Sequence, residues 1–151
     1  LLCIDPLTDD YITEDTSDPE VQNANQSRRH WIKGQYEEWK KNTKEYVDSG
    51  KIELIRKTSD QAFKELKGNL KDVDFCFIDG DHRTEPVFKD GENCLAVCKT
   101  GAYILFDDYK WWANSGDKWH CGKGVDKFIE KNKDCIEVIS KGYMVLVRKT
   151  C

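Results

Sequence analysis

The sequence predicts an α/β fold, a doubly wound and mostly parallel sheet that closes with an antiparallel C-terminal hairpin. Three observations carry this. The runs Val73–Ile78 and 102–106 are nearly continuous in apolar, β-prone residues, as strands buried on both faces are. A helix-length segment lies between them, long enough for a parallel crossover. Residues 135–140 and 143–148 alternate like strands and are joined only by Lys141-Gly142, which allows nothing but a hairpin.

The other elements follow in order. Residues 1–4 read as the end of a buried strand, stopped by Asp5-Pro6, and the acidic, turn-rich stretch 7–19 reads as a surface loop. Helical spacing of Val21, Ala24, Trp31, Ile32, Tyr36 and Trp39 predicts a helix over 20–46, with a break near Gly34. Residues 51–57 alternate about Ile52 and Leu54. Ser59 then stands as N-cap of a helix carrying Ala62, Phe63, Leu66 and Leu70. Thr84 caps the next helix, with Pro86 in its first turn and a stripe of Val87, Gly91, Cys94, Leu95 and Cys98. Lys99-Thr100-Gly101 is a turn, and 109–124 is a loop rich in Trp, Gly and Lys, long enough to form a lid. Val125, Phe128 and Ile129 mark the last helix. The order β, α, β, α, β, α, β, α, β, β contains no repeat or linker, so the 151 residues read as one domain.

Composition excludes some functions. Net charge is −4 and both signs are mixed along the chain, so no basic stripe exists to follow a phosphate backbone. No apolar run approaches the roughly 20 residues a membrane-spanning helix requires, and no signal peptide is visible. Of the seven cysteines none forms a CxxC pair, and Cys76, Cys94, Cys98 and Cys135 sit in apolar runs. They read as reduced thiols of a cytoplasmic protein. A zinc site at His120 and Cys121 lacks ligand spacing.

The chemistry concentrates where the two central strands end. Asp79-Gly80-Asp81-His82 closes the first and Asp107-Asp108-Tyr109 the second. Parallel neighbours lie about 4.8 Å apart, so both sets of carboxylates meet at the sheet edge where open α/β sheets bind ligands. Four carboxylates together repel one another unless protons or a cation compensate. A divalent metal site answers that requirement.

The strand order and three motifs, Phe77-Ile78-Asp79-Gly80-Asp81-His82, Leu105-Phe106-Asp107-Asp108-Tyr109 and Gly142-Tyr143, resemble a known family. They are similar to the Rossmann-like class I S-adenosylmethionine-dependent methyltransferases, and within them to the metal-dependent sugar O-methyltransferases of the macrocin and noviose type. The resemblance runs over essentially the whole chain from the family's second strand onward. The family's first strand and glycine-rich cofactor loop have no counterpart in these residues. The resemblance therefore implies a fragment, which alone binds the cofactor poorly and lacks the strand that neighbours both residues 1–4 and Val73–Ile78.

The resemblance also implies roles. Asp5 accepts hydrogen bonds from the cofactor ribose, against the alternative of a simple Asp-Pro turn. Thr58 and Ser59 lie where the adenine is contacted, although Ser59 is also the expected cap, and Asp79 borders the cofactor as well. Asp79, Asp107 and Asp108 match the ligands of Mg²⁺ or another divalent cation, which keeps positions for substrate oxygens. Asp81 and His82 both stand as general base for a hydroxyl acidified by the metal. Tyr109, Trp111 and Trp112, with Trp119 and His120 nearby, either stack on a small hydroxylated acceptor such as a sugar or anchor their loop. Two other readings compete: a metal-dependent glycosyltransferase using Asp79-Gly80-Asp81 as a DxD motif, and a non-catalytic methyltransferase-like binding domain. The DxD reading leaves Asp107-Asp108 and the hairpin unexplained.

Overall fold

The computed structural model describes residues 1–7, 34–66, 68–111 and 120–151. They form an α/β fold of six strands and four helices that divides into two compact units, Leu1–Ala62 and Phe63–Cys151. Among the described residues no helix is long and apolar enough to cross a membrane.

In the first unit β1 (Leu2–Ile4) pairs in parallel with β2 (Glu53–Ile55), from Leu2↔Glu53 to Ile4↔Ile55. Helix α1 (Gln35–Asp48) lies between them in the chain and begins after its N-cap Gly34, whose φ is 86°. Tyr36 on this helix lies under the Arg56 guanidinium, 3.6 Å from the ring centroid, a packing role. The preceding part of the predicted helix, the loop before it, and Trp31 lie outside the described residues.

Helix α2 (Ser59–Leu66) corrects the expected cap. Thr58, not Ser59, caps it: Gln61 N–H donates to Thr58 Oγ1 and Thr58 N–H to Gln61 Oε1, each at 3.3 Å. That reciprocal pair is a capping box, and the Thr-x-x-Gln spacing specifies it.

The second unit holds a four-stranded sheet in the order β3-β4-β6-β5. β3 (Val73–Ile78) and β4 (Cys98–Phe106) are parallel, while β6 (Val145–Lys149) lies antiparallel between β4 and β5 (Ile136–Lys141). The expected Lys99–Gly101 turn is a bulge at the start of β4. Val73 faces Cys98 but Phe75 faces Tyr103, and Gly101 takes a φ of 87°. Cys98 thus opens a strand instead of ending the helix. The hairpin joint is Gly142–Met144, closed by Gly142 N–H on Met144 O, and Lys141 belongs to β5.

Helices α3 (Thr84–Val97) and α4 (Cys121–Asn132) pack on one face of this sheet. The core there comprises Ile78, Ile104, Phe106, Val125, Phe128, Val145 and Val147. On the opposite face Phe75 and Phe77 are 53% and 51% exposed and Tyr103 38%, which corrects the expectation that both central strands are buried on two sides. Apolar burial is deepest on the helix-covered face, where Ile78, Ile104 and Phe106 lie. The two helices meet closely because Gly124 has no side chain. A Cβ there would lie 2.4 Å from Thr84 O and 2.9 Å from Val87 Cβ. Thr84 likewise corrects a prediction: Arg83 is the N-cap position of α3, and Thr84 Oγ1 donates to His120 O. The start of α3 and the residue before α4 are thereby brought together.

Five of the cysteines are free thiols, but Cys135 and Cys151 form a disulfide, which corrects the reading of all seven as reduced. Backbone pairing explains it. Thr150 N–H donates to Cys135 O beside the last rung of the β5–β6 ladder, so the two ends of the hairpin adjoin.

Candidate active site

In the first unit the β1–β2 ladder continues one step, with Asp5 N–H donating to Ile55 O at 3.2 Å. Asp5 and the Thr58-Ser59 pair therefore leave the same edge of a two-stranded sheet. Asp5 Oδ1 accepts the Leu7 amide at 2.8 Å, so the Asp-Pro turn is formed. Thr58 is engaged in its capping box.

The other described candidates belong to the second unit, where parallel β3 and β4 end side by side. Asp107 N–H donates to Ile78 O at 2.9 Å, which aligns the two acidic turns. Asp79, His82 and Asp108 each offer a ligand atom, all within 4.8 Å of one another. The shortest approach is His82 Nε2 to Asp108 Oδ2, 2.7 Å. Asp107 lies beside this group with its Oδ1 accepting the Asp108 amide at 2.7 Å. Asp108 has a φ of 54°, in the left-handed region that short polar side chains tolerate best.

Asp81 points elsewhere. Arg83 Nε reaches both its oxygens, at 3.0 and 2.9 Å, Nη2 reaches Oδ2 at 2.6 Å, and the Arg83 amide donates to Oδ1 at 3.0 Å. The fork and the amide together occupy both oxygens. Of the two candidate bases, His82 is the one facing the carboxylate cluster. Trp111 stacks on its ring, with centroids 5.8 Å apart. Tyr109 is turned away, its hydroxyl donating to Asp126 at 3.1 Å. Trp112 and Trp119 lie outside the described residues.

Several contributors have site roles that the sequence did not assign. Tyr143 Oη donates to Asp108 Oδ1 at 2.8 Å. Cys121, at the start of α4, donates to Asp107 O at 3.5 Å, and burial together with the charges of Asp108, Asp107 and Asp79 pushes its thiol up to about 12. Burial is the larger cause, and the three neighbouring carboxylates add to it. Asp90, a buried carboxylate on α3, has an oxygen 3.4 Å from where a Gly80 Cβ would sit. Arg83 carries a local sequence signal, a cation two residues beyond Asp81, and Tyr143 stands in the Gly142-Tyr143 motif without a role attached to it. His120 serves as N-cap of α4, its Nδ1 accepting the Lys123 amide at 3.2 Å.

Asp79, Asp81, His82, Asp107 and Cys121 line a pocket of about 10 Å³, room for one water or small ion. Hard carboxylate oxygens with one imidazole suit a divalent cation. The donor set fits such an ion, and the imidazole, hydrogen-bonded to a carboxylate, suits proton transfer.

A family model described as a methyltransferase domain matches residues 1–109. An uncharacterized protein of Acanthamoeba polyphaga mimivirus is 37% identical over 82 residues, covering 52% of this chain and 37% of that protein. Among solved structures, the O-methyltransferase NovP is similar with a TM-score of 0.69 at 19% identity, covering 99% of this chain and 60% of its own. TomG from Streptomyces achromogenes, an O-methyltransferase involved in tomaymycin synthesis and solved with SAM, gives 0.59 at 14% identity, covering 100% and 62%. An O-methyltransferase from Bacillus cereus in complex with SAH gives 0.56 at 16%, covering 73% and 56%. At such identities the likeness shows the fold. The chain spans less than two thirds of the length of each of these relatives.

Proposed function

The chain belongs to the methyltransferase-domain family, and on that premise we propose that the protein transfers a methyl group from S-adenosylmethionine to a hydroxyl of a small acceptor, with a sugar as the favoured class. The observation that carries this reading is the convergence of Asp79, His82 and Asp108 at the ends of adjacent parallel strands. A place for the cofactor is supported in the first unit by Asp5 and Thr58-Ser59 on one sheet edge, for ribose and adenine. SAM and SAH in the similar O-methyltransferases support the same donor.

S-adenosylmethionine supplies an already activated methyl, and the chain's contribution is alignment and charge management. Asp79 and Asp108 would hold Mg²⁺ or another divalent cation, with Asp107 joining as its carboxylate leaves the Asp108 amide. A bound cation would supply acidification of the acceptor hydroxyl. With Nε2–H donating to Asp108, His82 takes the hydroxyl proton at Nδ1, and the Asp108 carboxylate stabilises the resulting imidazolium. Asp81, gripped by Arg83, fixes the loop that carries His82. Trp111 offers an aromatic face beside His82 for the acceptor, with Tyr109 and Trp112 on the same segment.

The test is calorimetric titration of S-adenosylmethionine into the full-length protein, with and without Mg²⁺. Cofactor binding is expected, with Mg²⁺ binding lost in Asp107→Asn/Asp108→Asn. A folded full-length protein that binds no cofactor would overturn the reading.

A further inference from the structure

We infer that Tyr143, on the tip of the closing hairpin, is a positioning residue for Asp108. The β4–β6 register produces the juxtaposition. Leu105 faces Leu146 and Phe106 faces Val145, so two further steps set Asp108 opposite Tyr143. Just beyond the ladder the Tyr109 amide donates to Tyr143 O at 2.9 Å, and Tyr143 Oη donates to Asp108 Oδ1 at 2.8 Å. The hairpin tip is held in turn by Gly142 N–H on Met144 O at 2.9 Å.

The consequence lies in how the two oxygens of Asp108 are divided. Oδ1 takes the tyrosine hydroxyl and Oδ2 takes His82 Nε2. A carboxylate with only one partner can rotate about its last torsion, whose preference is broad. With both partners the plane is fixed and Oδ2 is kept toward the imidazole. Asp108 itself sits in the left-handed region, φ 54°, a backbone conformation uncommon for a residue with a side chain. Tyr143 is thus the means by which the last hairpin sets the site, and its effect on turnover rests on the proposed role of the His82–Asp108 pair.

The experiment uses Tyr143→Phe in the full-length protein, which keeps the ring and removes the hydroxyl. The first readout is the NMR signal of the His82 imidazole proton bonded to Asp108. It is expected to move and broaden, because the carboxylate is no longer fixed. The second is turnover: kcat is expected to fall about tenfold with KM for S-adenosylmethionine unchanged, and Tyr143→Phe is expected to add nothing in an Asp108→Asn background. An unchanged imidazole signal, or an equal further loss in the Asp108→Asn background, overturns the inference. If Tyr143→Phe does not fold, fluorotyrosine at position 143 alters the hydroxyl donor with little change of shape and is read by the same signal. Absence of methyl transfer in every variant would sink the proposed function, while the NMR readout would still decide the role of Tyr143.

Discussion

At the scale of single residues the site depends on which neighbour each acidic group meets. Asp79, Asp81, Asp107 and Asp108 look equivalent in the sequence, yet they do different things. Asp81 is taken by Arg83, Asp107 holds the Asp108 amide, and Asp108 is shared by His82 and Tyr143. His82→Gln is expected to lower kcat by about 10²-fold or more, the scale of a lost general base, with S-adenosylmethionine affinity nearly unchanged in calorimetry. Thr58→Ala removes a formed capping bond and is expected to cost about 1 kcal/mol by denaturant unfolding. The acidic edge was legible because strand ends and carboxylates are both local signals. The partners were not, because Arg83's rotamer and Tyr143's register are decided by contacts distant in torsion space or in sequence.

At the scale of elements, packing depends on close helix approach. Gly124→Ala puts a methyl 2.4 Å from a backbone carbonyl, which no rotamer change relieves. It is expected to destabilise by about 1–3 kcal/mol, as overpacking does, measured by thermal or urea unfolding. Phe128→Ala, removing a fully buried ring packed against Phe106, is expected to cost about 3–5 kcal/mol. The thiols give a pH test. Cys76 is pushed up to about 12, first by its hydrogen bond with Cys94. Its folded form holds a proton that the unfolded form loses near 9, so this contribution is full below pH 9 and declines as pH rises toward 12. Unfolding titrations across that window should show the decline, and Cys76→Ser should lessen it, the rest coming from the other raised thiols, Cys98 and Cys121. Periodicity located the strands and helices, and errors fell at their ends. A cap or bulge depends on one bond, such as Thr58 with Gln61, or one dihedral, such as that of Gly101.

At the scale of the whole molecule, the sheet order β3-β4-β6-β5 brings Asp79, His82, Asp107, Asp108 and Tyr143 to one end, and the Cys135–Cys151 disulfide joins the hairpin strands at the end away from Tyr143. With a separation of 16 residues, the crosslink is expected to contribute about 3 kcal/mol through loop entropy. Reduction, or Cys135→Ser, should therefore lower the melting temperature by about 5–10 °C and leave the His82–Asp108 pair in place. No local pattern signalled that pairing, since Cys135 resembled any other cysteine in an apolar run. The sequence by itself determined the element order, the antiparallel ending and the acidic turns, because these follow from hydrophobic period, loop length and residue type over short windows. Only the tertiary structure decided which carboxylate faces His82, that Tyr143 sits opposite Asp108, and that Phe75 and Phe77 lie on an exposed face. Register and side-chain partnership are set by the three-dimensional match of whole elements, which no short window of sequence contains.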